Sequence, residues 1–188
     1  MTAKSTPLHA PLKRERLREI IRTRSLLEEG AFRLVSGRSS AYFFDMKKTM
    51  FEPEGAALLA DLLFDMVKGE EVEFIGGMET GAIPLVSLLC RRSWPEKPLK
   101  GFFVRKEKKG HGTDRALEGL IESGKGVILC EDVTTTGGSA MAAAEAAEKA
   151  GGRIVKVVTV VDRLEGAVEN FAKKGVRFEA LFSRNDFM

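Results

Sequence analysis

GVILCEDVTTTGGS, residues 126–139, is the stretch from which the fold is read. Gly126–Cys130 is a short apolar run, the pattern of a strand buried on both faces. Glu131 and Asp132 stand at its carboxyl end, followed by a run of Thr and Gly and then an Ala-rich helical stretch, AMAAAEAAEKAGG. Strand, loop and helix in that order make one half of a parallel α/β unit, and such sheets bind ligands beyond the carboxyl ends of their strands. Gly137 and Gly138 let the backbone come close to a ligand. Thr134, Thr135, Thr136 and Ser139 offer hydroxyls and amides, and the helix start adds its positive dipole end. Together these parts form a cradle for a monophosphate. The two acids cannot favour phosphate by charge; they suit a neighbouring sugar diol or a magnesium ion. An ordinary strand-to-helix turn with a Thr or Ser cap is the alternative, but paired acids at a buried strand end are costly without a task. The Lys that ends a Walker loop is missing, as is the GxGxxG spacing.

Outward from this stretch, Val72–Ile75, Leu99–Val104, Ile154–Val161 and Val176–Leu181 are further short apolar runs, with helix-like segments at 81–92 and 138–150. The alternation predicts a mostly parallel sheet covered on both faces, an α/β core over residues 70–182. Upstream, Leu12, Leu17, Ile20, Ile21 and Leu27 recur at helical spacing and predict an amphipathic helix over 12–29, stopped by Gly30. Phe32–Val35 and Tyr42–Met46 read as short strands around the turn at 36–39. Residues 53–68 read as a second helix with Pro53 and Glu54 in its first turn. The expected layout is a single domain spanning 1–188: a loose arm over 1–11, an N-terminal section over 12–69 packed across one end, and the core.

The 188 residues are 44% hydrophobic and 30% charged, which suits a folded domain and excludes a disordered or fibrous chain. Cys90 and Cys130 both lie in apolar runs, against a disulfide scaffold or zinc cluster and in keeping with a reducing cytoplasm. No membrane helix, signal or transit segment is expected. The formal charge is only +3, so its placement matters more than its sum. Between Lys13 and Arg24 six cations meet two acids, which gives either a solvated helix face or a contact for an anion. Residues 105–115, RKEKKGHGTDR, carry five Lys and Arg against two acids, plus His111. With Gly110, Gly112 and Gly119 this reads as a flexible cationic loop, suited to a polyanion that must enter, be covered and leave. Its cations would neutralise charge on a departing diphosphate, and His111 adds a donor. A plain solvated loop is the alternative; a nucleic-acid surface is disfavoured, because no aromatic platform lies within it.

VILCEDVTTTGGSA resembles the phosphoribosyl diphosphate (PRPP) motif of the type I phosphoribosyltransferases, with Glu131 where aspartate is more usual. RKEKKGHGT is similar to the RKExKxHG signature of the orotate phosphoribosyltransferases. That resemblance implies a type I phosphoribosyltransferase fold with a small N-terminal hood, and transfer of the phosphoribosyl group of PRPP to orotate. It implies that Arg105, Lys106, Lys109 and His111 bind the diphosphate end of PRPP. Glu131 and Asp132 would hold the ribose hydroxyls, and Val133, Thr134, Thr135, Thr136, Gly137, Gly138 and Ser139 the 5′-phosphate side. Lys109, Asp132 and Glu131 would be the catalytic residues. Mg²⁺ would be held mainly through PRPP, with no protein metal ligand. The family's loop reaches into a neighbouring active site, so a cytoplasmic homodimer sharing loop 105–119 is implied, with no nucleic-acid or membrane partner.

Three further segments carry the resemblance. SGRSSAYFF, residues 36–44, is similar to the family's SGRxSxYFF, whose aromatic pair borders the orotate pocket. Phe43 and Phe44 point to opposite strand faces, so core packing of one of them stays open. Val35 stands where the family often has Lys. GGMETGAIP, residues 76–84, resembles the diphosphate loop, without the Lys some members carry near Gly81. Asp162-Arg163-Leu164-Glu165-Gly166 resembles DRxEG, whose arginine holds orotate together with Thr135; a strand-end salt bridge from Arg163 to Asp162 or Glu165 is equally open. Two rivals stand beside this reading. A phosphoribosyltransferase for another base would not need Arg163 combined with RKExKxHG. A PRPP-sensing regulator would be expected to lose Lys109 and His111 or to gain a DNA-binding unit.

Overall fold

The computed structural model describes residues 9–28, 32–33, 39–106 and 116–188. Pro11 sits in the first turn of α1 (Ala10–Ile20), which runs on as a single π-helical turn, Ile21–Ser25. Leu17, Ile20 and Ile21 form its buried face. The helix expected over 12–29 therefore begins at Ala10, inside the supposed arm, and ends at Ser25. Leu26 and Leu27 continue the helical period in sequence but form β1 (Leu26–Leu27), which pairs antiparallel with β4 (Phe43–Phe44). A distant partner outweighs local periodicity here. Between them β2 (Phe32–Arg33) pairs with β3 (Ser39–Ser40). The strand expected over Tyr42–Met46 shrinks to its two phenylalanines, because α2 (Lys47–Met50) starts directly behind it. α3 (Pro53–Val67) matches expectation and is capped by Glu52, whose Oε2 accepts the Gly55 amide at 2.6 Å.

The core alternates as predicted: β5 (Phe74–Gly76), α4 (Ala82–Ser93), β6 (Lys100–Val104), β7 (Leu117–Gly119), β8 (Gly126–Thr134), α5 (Gly138–Lys149), β9 (Arg153–Asp162), α6 (Ala167–Lys173) and β10 (Arg177–Ser183). The six strands lie in the order β10-β9-β8-β5-β6-β7, all parallel except the β6–β7 hairpin. The continuous apolar run of β8 serves two cores by alternation. Val127 and Leu129 face the cluster with α5 and α6, whereas Ile128 and Cys130 face the cluster with α1, α3 and α4. β8 is longer than expected. Glu131 and Asp132 lie inside it, Glu131 opposite Thr159 and Thr134 opposite Asp162 on β9. α2, β7 and α6 carry no strong sequence pattern and were not expected.

The N-terminal section packs over one end of this sheet and onto the C-terminal turn. Phe44 meets Phe187 edge to face at 5.2 Å, and Arg14 lies 4.6 Å over the Phe182 ring while donating to the Leu181 carbonyl at 3.0 Å. Lys13 and Arg92 share Asp61, tying α1, α3 and α4 together. The solvated face expected of this segment is present, since Arg14, Arg16, Arg22 and Arg24 are exposed, while Lys13, Arg14 and Arg16 also reach acids elsewhere in the fold. Among the described residues no helix is long and apolar enough to cross a membrane.

The chain leaves β5 toward β6 through α4, but leaves β8 toward β9 through α5, in the opposite direction across the sheet. The crevice between the loops after β5 and β8 is a topological switch point, where α/β sheets bind ligands.

Candidate active site at the β5–β8 switch point

Two glycines bring the crevice walls together. Gly137, at the start of α5, has φ +84°, and a Cβ there would lie 2.7 Å from the Phe171 ring. Only glycine meets both demands without strain. Asn170 on α6 holds the same turn by donating to the Thr136 carbonyl at 2.9 Å. Gly137 has no side chain to cap α5, and the Ala140 amide in its first turn is met by Glu131, so the amides ahead of Ala140 open onto the crevice. Gly81 lets the other wall close in, for a Cβ there would stand 2.3 Å from Asp132 Oδ1.

The crevice holds two adjoining clefts. One is lined by Phe43, Phe44, Lys47, Glu79, Asp132 and Arg163, among others. The other reaches Thr136, Gly137, Gly138 and Ala142. Met78, Lys106, Glu131, Val133, Thr135 and Ser139 border both. An acid pair thus stands between an aromatic, arginine-bearing end and a Thr-Gly end.

Glu131 is only 7% exposed, and its Oε2 accepts the Thr134 hydroxyl at 2.6 Å. Burial pushes its carboxyl up to about 7; the Thr134 hydroxyl and the Ala140 backbone oppose the shift, while the charge of Asp132 adds to it. Burial also raises Asp132, against the Val133 amide (2.9 Å to Oδ1) and the positive charge of Lys47. Two carboxylates kept short of water favour an occupant that brings hydroxyl donors or positive charge.

Arg163 is buried at the end of β9, 3% exposed. Its Nε donates to Glu165 at 2.9 Å, its Nη2 to Ser40 Oγ at 2.9 Å, and its guanidinium lies 4.2 Å over the Tyr42 ring. The strand-end salt bridge that the sequence allowed is present, and Arg163 also lines the cleft. The partner is Glu165, since Asp162 accepts the Leu164 amide instead, at 2.8 Å. Phe44 packs with Tyr42 and Phe187 at the core and still borders the cleft, where Phe43 is half-buried.

Of the remaining expected residues, Val133, Thr135, Thr136, Gly137, Gly138, Ser139 and Lys106 line the clefts. Thr134 does not; its hydroxyl, expected to serve a phosphate, is turned inward to Glu131. Arg105 is not among the lining residues, though its buried Nε has no hydrogen-bond partner among the described residues. Lys109 and His111 lie outside the described residues. Lys47 and Glu79 line the first cleft without having been singled out. Lys47 directly follows the aromatic strand at a helix start, which was its one sequence signal. Glu79 accepts the Lys106 amide at 2.9 Å, which ties the two strand-end loops together. Among the described residues no group of three or more His, Cys, Asp or Glu could cage a metal ion.

The phosphoribosyl transferase domain family matches residues 48–180 of this chain. An orotate phosphoribosyltransferase of Rhodopseudomonas palustris (strain BisB5) is 48% identical over 180 residues, covering 93% of this chain and 96% of the relative. One from Aquifex aeolicus is 39% identical, over 94% of this chain and 98% of its own length. Among solved structures, the Mycobacterium tuberculosis orotate phosphoribosyltransferase in complex with PRPP superposes with a TM-score of 0.78 at 30% identity, covering 93% of this chain and 98% of that one.

Proposed function

Because the chain belongs to the phosphoribosyl transferase family, and within it to the orotate phosphoribosyltransferases, we propose that it transfers the phosphoribosyl group of PRPP to orotate. The products are orotidine 5′-monophosphate and diphosphate, a step of pyrimidine synthesis. The observation that carries this reading is the order of groups along the crevice: a braced arginine, a buried acid pair, then a glycine-turned helix start.

Thr135 to Ser139 and the open amides of α5 hold the 5′-phosphate. Glu131 and Asp132 accept the ribose hydroxyls and favour the positive charge that grows on the ribose as the bond to diphosphate breaks. Arg163, with two N–H groups fixed on Glu165 and Ser40, presents the rest of its fork to the orotate carboxylate, while Phe43 and Thr135 border the base. The charge of orotate lies on its carboxylate, and the ring nitrogen that bonds to the ribose still gives up its proton, which the departing diphosphate, an anion in the same cleft, can take up. Lys106 at the cleft, with Arg105, Lys109 and His111 of the basic loop, takes up charge on the leaving diphosphate; Lys109 is assigned the main share by resemblance.

Magnesium, when bound, neutralises diphosphate charge and improves the leaving group. The carboxylates of Glu79, Glu131 and Asp132 line the cleft without forming, among the described residues, a cluster that could hold a metal, which fits an ion held through PRPP's own oxygens. A homodimer in which loop 105–119 reaches the partner's site, working in the cytoplasm, completes the proposal; the family resemblance supports the dimer, and the free thiols of Cys90 and Cys130 suit a reducing compartment.

The direct test mixes the protein with PRPP, Mg²⁺ and orotate, uracil or hypoxanthine in turn, and follows loss of free base. Turnover of uracil or hypoxanthine but not orotate would overturn the reading. For the shared site, Lys109→Ala and Asp132→Asn proteins, each nearly inactive, should regain activity when co-refolded. Mixed dimers that form without recovering activity would refute it.

A further inference from the structure

Thr134 takes no part in the roles above, yet it touches both halves of the site. It ends β8 and is 1% exposed. Its hydroxyl donates to Glu131 Oε2 at 2.6 Å, and its carbonyl accepts the Arg163 amide at 2.9 Å. One residue thus meets the ribose acid through its side chain and the orotate arginine through its backbone. We propose that Thr134 is a positioning residue for the transfer: its hydroxyl fixes the Glu131 carboxylate in the orientation that meets the ribose hydroxyls. The inference rests on the phosphoribosyl-transfer reading given above.

The physical need arises from the length of the glutamate. Glu131 has one more rotatable bond than Asp132, and holding a rotamer-rich side chain still costs roughly 0.5–1.5 kcal/mol of freedom. Asp132 is held by the backbone amide of its own neighbour, Val133. Among the described residues, Thr134 is the side chain with a hydrogen bond to Glu131. Asp132, Glu79, Lys47, Lys106 and Arg163 share the cleft with it, but their recorded bonds run to other partners or serve the backbone. The Ala140 backbone at the first turn of α5 supports the same carboxylate from the other side. With the hydroxyl gone, Glu131 would have to be ordered by the substrate during the reaction, and the rate would carry that cost.

The test compares Thr134→Val with Thr134→Ser. Valine keeps the size and β-branching, so the strand is preserved, and an unchanged urea midpoint checks this. If the valine protein fails to fold, Thr134→Ala serves in its place. With saturating PRPP, the valine protein should lose roughly 10- to 100-fold in kcat, the span expected for a bond to a charged group, while its KM for orotate stays near wild type. The serine protein should keep most of the activity. Glu131→Asp supplies the second readout: one methylene shorter, its carboxylate cannot keep the bond, so adding Thr134→Val to it should change kcat by less than about twofold. An unaffected kcat in the valine protein, a serine protein as slow as the valine one, or an equal loss in the Glu131→Asp background would each overturn the inference. A wild type idle with orotate overturns the functional reading and this inference with it. An active wild type beside an unaffected valine protein overturns this inference alone.

Discussion

Replacing Arg163 by lysine separates holding the substrate from bracing the fold. The arginine carries five N–H groups; Nε is spent on Glu165 and one Nη2 proton on Ser40, each at 2.9 Å. Three remain for a ligand carboxylate in the same plane. Lysine keeps the charge but presents its donors from one atom, so it cannot serve all three partners. A lost bond to a charged group costs about 1.5–3 kcal/mol, or roughly 10- to 150-fold in kcat/KM for orotate. The loss should appear mainly in the KM for orotate, with the KM for PRPP changed less than about twofold. Stability should fall as well, since the 4.2 Å stack on Tyr42 is lost; a desolvated cation–π contact contributes roughly 1–2 kcal/mol. Initial rates with each substrate varied in turn, together with a urea titration, measure both effects. A folded Arg163→Lys protein with wild-type kcat/KM for orotate would refute the reasoning and leave Arg163 as a brace for Glu165 and Ser40.

Gly137→Ala places a Cβ at a backbone with φ +84° and 2.7 Å from the Phe171 ring, which itself stacks on Phe178. It should cost roughly 2–3 kcal/mol in urea unfolding and raise the KM for PRPP more than that for orotate; an unchanged urea midpoint would contradict this. Glu131, at about 7, lies above its ordinary 4.5, so the folded state binds its proton more tightly than the unfolded chain does. That contribution is complete below the ordinary value and fades as pH rises through the folded one, which makes the ionised group cost up to about 3 kcal/mol at pH 8.5. Glu131→Gln should therefore gain stability over wild type from pH 5 to pH 8.5 while transferring phosphoribose more slowly, and a stability gap independent of pH would count against it.

Much of this site is legible in a single stretch of sequence. The apolar run at 126–130, the acids behind it and the Thr-Gly turn announce strand, acid pair and helix start, because each needs its residue types locally. What escaped depends on distant partners. Leu26 and Leu27 fit a helical period and become a strand because Phe43 and Phe44 pair with them. Thr134 reads like its two neighbours as a phosphate hydroxyl, but it is still part of β8 and its hydroxyl is bonded to Glu131. The sequence left Arg163 between salt bridge and ligand; the structure shows the salt bridge, to Glu165, and leaves three of the five donors free to face the cleft. The short helix α6 lacks a long apolar period, yet its Asn170 and Phe171 hold the Thr-Gly turn in shape.

The first helix bears on how the substrate arrives. Lys13 is tied to Asp61, Arg14 to Asp186, Arg16 to Glu54 and Glu19, and Arg18 to Glu15. Charges paired at contact distance cast little field beyond about 10 Å in ordinary salt. These four cations are therefore largely neutralised at long range, whereas Arg22 and Arg24 at the end of the helix stay exposed. Among the described residues, Lys47 and Lys106 are the lysines that line the cleft and attract an anion that has reached it. Rising ionic strength then slows capture by screening those few charges, and the clamp between the first helix and the C-terminal turn, which also rests on buried phenylalanines, stays closed.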